Sequence, residues 1–377
     1  MDHVESQQES LPTMPKAKKL ILLSSNILLL LVGSVGTPLI LRLYFLHGGR
    51  QRWLSASLQT AGFPFLLLPL LLSFLRRRRR LSPAKPTVFF LTPPLLLYSV
   101  LLGLITGFDD FIYAYGVSYL PVSTTSLLIS TQLGFTALFA FFIVKQKFTE
   151  YSVNSVVLLT FGAAVLGVHA GGDRPKGETQ EKYYLGFAMT LSAAVIYALV
   201  LPLVELTYKK AKQEITFTLV MEMQFVISFS ATVFCVAGMA IDHNFQTISK
   251  EAAAYGLGET KYYVVLFFTT VVSQCFYLGL VGTINYSSAL LGGVVIALSI
   301  PVTEVLSVVF FHEMFNGEKG VALALSLWGS ASYFYGEYKQ NKKRKAAAAA
   351  AAAADGTPGS DRHHSISGSD VELLTLP

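Results

Sequence analysis

Ten apolar runs, most close to twenty residues or longer, alternate along the chain with short polar breaks. They cover about 20–45, 54–75, 92–118, 121–144, 152–169, 185–206, 216–240, 262–284, 287–311 and 320–337. A helix rising 1.5 Å per residue needs ~20 residues to cross a ~30 Å hydrocarbon core. The pattern therefore predicts an all-α membrane protein of ten transmembrane helices. Pro64, Pro69, Pro202 and Pro301 fall inside runs, as membrane helices allow where neighbours or water satisfy the freed carbonyls. The order of runs divides the chain into an N-terminal tail (1–19), a first five-helix half (20–169), an outer linker (170–184), a second five-helix half (185–337) and a tail (338–377). That last tail opens basic, crosses an alanine tract from Ala346 to Ala354 and ends in Gly, Ser and Asp. Its composition predicts a fraying helix that gives way to disorder.

The halves echo each other. At one constant offset Tyr119, Thr136, Phe148 and Gly162 fall on Tyr286, Thr303, Phe315 and Gly329. Five spans followed by five reverse the second half across the bilayer, so the arrangement expected is a 5+5 inverted repeat, with a solute site near the midplane between the halves. Lysine and arginine set the orientation. With the N-terminus inside, the inner segments, including Arg76 to Arg80, hold roughly twice as many as the outer ones. Both termini are expected in the cytosol.

Composition narrows the function. The residues are 53% hydrophobic and 14% charged, and the mean hydropathy is +0.52, far from a soluble domain. The net charge of +6 comes mainly from clusters beside apolar runs, which suits topology anchors better than a nucleic-acid face. Gaps between runs leave no room for a soluble catalytic domain, and residues 1–19 carry no cleavage-site pattern. Cys235 and Cys275 lie in apolar runs and form no disulfide or metal pattern. His312-Glu313 opens like a zinc-protease motif, but Asn316 stands where the second histidine belongs. No enzymatic activity, metal, cofactor or nucleic-acid partner is expected. The expected surroundings are a lipid bilayer.

Polar side chains inside the apolar runs are the candidate site. Asp109 and Asp110 are adjacent carboxylates deep in the third run. A carboxylate at that depth costs about 2.5–3.5 kcal/mol on insertion scales and marks a solute or proton path by default. Helical spacing sets Thr106, Asp109 and Tyr113 on one face, which predicts a polar cavity beside Asp109. Asp110 shares a face with Gly103 and Gly107, which predicts a helix contact. Gln132 in the fourth run, and Gln59 in the second, each present a donor beside an acceptor, the complement of an adenine edge. Glu222, Gln274 and Glu304 are the buried polar candidates of the second half. The substrate-binding candidates are Gln59, Asp109, Tyr113, Gln132, Tyr197 and Gln274, with the two tyrosines as stacking surfaces. The proton-coupling candidates are Asp109, Glu222 and Glu304, since a carboxyl group withdrawn from water can cycle between its charged and neutral forms.

The third and fourth runs also carry a resemblance. Tyr113-Ala114-Tyr115-Gly116-Val117, Tyr119-Leu120-Pro121-Val122-Ser123-Thr124, Gln132-Leu133-Gly134-Phe135 and Val144-Lys145-Gln146-Lys147 resemble the plant purine permease family of the drug/metabolite transporter superfamily. Matches continue at Arg42-Leu43-Tyr44-Phe45, Gln59-Thr60-Ala61-Gly62 and Trp328-Gly329-Ser330-Ala331-Ser332-Tyr333. The resemblance implies proton-coupled import of purine bases such as adenine, and of cytokinins, across the plasma membrane. Asp110 stands where that family tends to carry Asn. Two other functions remain open at this point: an exchanger of sugar phosphates or nucleotide sugars, which would favour Lys or Arg in the cavity, and a membrane receptor that binds a base without moving it.

Overall fold

The computed structural model describes residues 16–80, 90–145, 149–168, 179–210, 217–286 and 289–355. Among them are thirteen α-helices and no strand. In chain order they are α1 (Lys16–Leu46), α2 (Arg52–Thr60), α3 (Pro64–Arg80), α4 (Pro93–Tyr119), α5 (Val122–Ser130), α6 (Gln132–Val144), α7 (Glu150–Val168), α8 (Gln180–Lys210), α9 (Phe217–Ile241), α10 (Ile248–Ala254), α11 (Glu259–Tyr286), α12 (Ala289–Phe311) and α13 (Gly317–Asp355). Every apolar run read from the sequence falls on a helix or on two helices in line. The chain forms one compact unit up to Gly336. A second unit begins at Glu337, and its described part is the end of α13, helical to Asp355. The alanine tract expected to fray is helical there, as the strongest helix former should be.

Among the described residues, eight segments are long and apolar enough to cross a membrane. Of the ten expected, the fifth and tenth fall short of that measure. The apolar part of α7, Glu150–Leu166, is shorter and reaches only about 25 Å at 1.5 Å per residue. In α13 the apolar residues are diluted with serine, glycine and tyrosine. Leu68, Phe142, Phe161, Phe267, Val305 and Trp328 point outward and are exposed, so the helices present apolar flanks on all sides.

Helix contacts run between distant parts of the chain. The most extensive is α1 on α11; α4 lies between α8 and α9; α2 packs on α4, α9 and α11; α6 packs on α8; α12 packs on α1 and α5. Close approach explains the first. A Cβ at Gly33 would stand 2.3 Å from the Phe276 backbone nitrogen, and one at Gly279 would stand 2.3 Å from that of Leu30. Where lipid is as apolar as leucine, such small-residue contacts supply the packing. Gly103 and Gly107 serve α4 in the same way against Ile227 and Ala231 of α9.

Two of the spans are broken. The second changes from α2 to α3 through a turn at 61–63, where Pro64 opens α3 at a position that needs no amide donor. The fourth changes from α5 to α6 at Thr131. There the Ser130 and Thr131 hydroxyls donate back to the Leu127 and Leu128 carbonyls, each at 2.6 Å, a pattern that bends helices.

Three carboxylates tie the later part of the chain to helix beginnings in the earlier part. Glu313 accepts from the Val122 and Ser123 amides at 2.8 and 3.1 Å and from the Ser123 hydroxyl at 2.7 Å. Lys319 in turn donates to Ser123 Oγ at 2.6 Å. Glu251 accepts from the Arg50 amide, just ahead of α2, and from the Tyr44 and Tyr262 hydroxyls. Burial, and then the Glu251 charge, pushes the neighbouring Tyr255 phenol up to about 12. Glu222 accepts from the Phe90 and Leu91 amides ahead of α4 at 2.7 and 3.3 Å. Acidic groups at helix N-termini are stabilised by the unpaired amides and the helix dipole.

Candidate functional site

Inside the bundle lies a chamber of about 410 Å³, within the ~300–1,000 Å³ usual for small-molecule sites. It is lined by α1, α2, α4, α5, α6, α8, α11, α12 and α13. Five of the residues singled out in the sequence meet there: Gln59, Asp109, Tyr113, Gln132 and Tyr197. The helix breaks place the two amides. Gln59 ends α2 one residue before its last, and Gln132 opens α6 directly after Thr131.

Asp109 and Asp110 both face the chamber. Asp110 therefore does not turn wholly to its glycine neighbours, as its helical face suggested; the cavity borders both residues, which are neighbours along α4. They are 5% and 7% exposed. Tyr113, Tyr197 and Tyr277 lie within electrostatic reach of both acids, and Cys235 within reach of Asp110. Asp109 Oδ1, Asp110 Oδ2 and Gln59 Nε2 are buried without a hydrogen-bond partner. An unsatisfied buried group costs about 1–3 kcal/mol, so several together at one cavity ask for a ligand or water as partner. Among the described residues no lysine or arginine lines the chamber.

The other candidates lie elsewhere. Gln274 is buried beside the chamber between the lining residues Ser273 and Tyr277, with neither amide atom bonded. It presses on Gly62, where a Cβ would come within 2.6 Å of its Oε1. Glu304 is 2% exposed and follows the lining residue Thr303 but is not itself part of the wall. Glu222 is outside the chamber, bonded to the Phe90 and Leu91 amides. Thr106, which shares a helical face with Asp109, is buried away from the wall.

Sequence reading passed over much of the wall. Ser34 and Thr37 of α1, Ser299 and Thr303 of α12, and Ser330 and Phe334 of α13 all line it. The available signal was a small hydroxyl residue within an apolar run, which is equally common at plain helix contacts.

Comparison with known proteins bears on what this chamber holds. A family model described as purine nucleobase transmembrane transport matches residues 21–343. The chain belongs to that family. Purine permease 3 of Arabidopsis thaliana is 50% identical, the alignment covering 84% of this chain and 91% of that protein. Purine permease 2 of the same plant is 49% identical over 86% of this chain and 94% of that one. Probable purine permease 11 is 37% identical over 84% and 82%. The family resemblance carried by Tyr113 to Lys147 thus extends over nearly the whole chain. With eight apolar segments long enough to cross a membrane among its described residues, this member of the family is a multi-pass membrane protein.

Proposed function

We propose that this protein carries purine bases, including adenine and N6-substituted adenines such as cytokinins, into the cytosol together with protons, by alternating access. The observation that carries the reading is the chamber: two carboxyl groups, two amides and the rings of Tyr113, Tyr197 and Tyr277 converge on it. Amides and acids suit the edge of a heterocycle, and aromatic rings suit its face. The apolar part of the wall, including Phe276, Phe334, Leu133 and Ile300, would receive an N6 substituent. A wall whose described residues include two acids and no lysine or arginine disfavours sugar phosphates and nucleotide sugars.

Helix packing supports the ten-span 5+5 arrangement. Counting α2 with α3 and α5 with α6 as single spans, and including α7 and α13, each span can be exchanged with the one five places on. The α1–α11 contact then becomes α8–α4, the α4–α9 contact becomes α11–α2, and α6–α8 becomes α12–α1. All six occur. The α2–α9 and α5–α12 contacts map onto themselves and also occur. A two-fold related pair of halves around a central site is the geometry in which rocking exposes the site to each side in turn. The basic residues favour cytosolic termini, and the family resemblance favours the plasma membrane.

In this mechanism Asp109, with Asp110 beside it, takes a proton from outside, and Gln59 and Gln132 hold the base edge. A neutral base moving with one proton carries positive charge inward. In proteoliposomes, labelled adenine should accumulate against its gradient when the proton gradient points inward, and a protonophore should reduce uptake to equilibration. Equal uptake with and without the gradient would leave a facilitator and remove the proton from the mechanism.

A further inference from the structure

The chamber's acids differ in one respect from its amides: their hydrogen-bonding pattern changes with a proton. A neutral carboxyl group offers an O–H donor beside a carbonyl acceptor, whereas a carboxylate offers acceptors only. Adenine presents an amino donor beside a ring-nitrogen acceptor, and guanine presents two adjacent donors, its ring N–H and its amino group. We propose that the protonation state of Asp109 selects the base: the neutral acid pairs with an adenine-type edge and the carboxylate with a guanine-type edge. This rests on the purine-transport reading above and adds to it the group that decides between purines.

Two independent observations bring the inference to Asp109. Asp109 lines the chamber, and its Oδ1 is buried without a hydrogen-bond partner. Gln59, 7% exposed, lines the same chamber from another helix and also holds a buried amide nitrogen without a partner, so polar groups from more than one helix stand ready there for a ligand. An amide keeps one donor and one acceptor at every pH and cannot supply the change; a carboxyl group can. The charged and titratable groups around it leave the proton with the acid pair. On α4 itself these are Asp110 and Tyr113; α8 brings Tyr197, and α11 brings Tyr277. From α9, Cys235 donates to the Gly107 carbonyl and Glu222 is bonded to Phe90 and Leu91. Arg42 of α1 bonds the Val117 carbonyl, and Arg52 of α2 bonds Ser118 and Tyr119, so neither cation lines the chamber. From α5, Ser126 and Ser130 reach the wall and are not titratable. Among the described lining residues Asp110 is the other acid beside Asp109, and the two variants separate their parts.

The proton balance follows. A proton from the outer water adds to the Asp109 carboxylate and forms the O–H that bonds the ring nitrogen. On the inner side the O–H dissociates to water as the base departs, chemically unchanged. Adenine is then bound more tightly by the proton-loaded carrier, which makes the coupling a consequence of recognition.

The test is binding of labelled adenine to the purified full-length protein, with unlabelled adenine and guanine as competitors, at about pH 5.5 and about pH 8. The preference for adenine over guanine should fall by about tenfold or more between the two, the scale of one mismatched buried hydrogen bond. Asp109→Asn should bind adenine with a preference that no longer moves with pH, and Asp110→Asn should keep the shift. Purine binding by the wild-type protein with a constant adenine-to-guanine ratio overturns the inference and leaves the transport reading standing. A shift that survives Asp109→Asn, or vanishes only in Asp110→Asn, overturns the assignment to Asp109. Absence of purine binding at either pH overturns both readings.

Discussion

Whether a buried acid in this protein is structural or chemical is decided by what its oxygens meet. Glu222, Glu251 and Glu313 each accept backbone amides at or ahead of a helix beginning, which fixes their place. Asp109 and Asp110 line a cavity, and each keeps a buried oxygen without a partner. The same distinction separates Gln59 from Gln51. Gln51 donates its side-chain amide to Thr247, whereas Gln59 holds its amide nitrogen unbonded at the chamber wall. Gln59→Ala should therefore weaken adenine binding by about tenfold, from loss of one buried hydrogen bond of ~1–3 kcal/mol, with little change in melting temperature. A melting temperature that drops while binding holds would make Gln59 a packing residue.

At the scale of the element, the breaks in the second and fourth spans bring amides to the chamber, and the unbroken close contact of α1 with α11 gives those breaks something firm to bend against. Gly279 lies at that contact, where the nearest neighbours of an added Cβ are backbone atoms of Leu30 and Asn26 at 2.3 to 2.8 Å. Backbone in a packed helix yields little, so overpacking is costly there. Gly279→Val should abolish the monodisperse, folded protein seen by fluorescence-detected size exclusion. Gly258, whose added Cβ would meet nothing within 4 Å, is the contrast for space. It has a backbone φ of +93°, however, so Gly258→Ala should strain the loop locally and leave the helix bundle assembled.

For the whole molecule, the Glu313–Ser123–Lys319 cluster joins the end of α12 and the start of α13 to the beginning of α5. If the halves rock about the chamber, this tie must open and close once per cycle. A short, reductant-cleavable thiol cross-linker joining Ser123→Cys to Glu313→Cys should stop adenine uptake, and a reductant should restore it. Full uptake by the cross-linked protein would rule out rocking at this contact. Cys235 interferes little, since it is buried and donates to the Gly107 carbonyl, and the half-buried Cys275 is replaced by alanine in the test.

The all-helical class, eight of the ten expected spans and the place of α4 and α6 at the chamber wall were legible in the chain, because hydrocarbon leaves the backbone one local solution and makes every polar side chain in an apolar run conspicuous. Asp109, Tyr113, Gln132 and Tyr197 stood out for that reason. Local spacing could not say which of several buried acids share a cavity. Glu222 looked equivalent to Asp109 until the loop ahead of α4 was seen to supply it with amides, and Asp110 looked turned away until the width of the chamber was known. Nor could spacing identify Ser34, Thr303 or Phe334 as wall residues, since they meet only when α1, α12 and α13 are packed together. Solvation in lipid acts on each segment separately and is written along the chain; hydrogen-bond satisfaction between segments remote in sequence exists only once they touch.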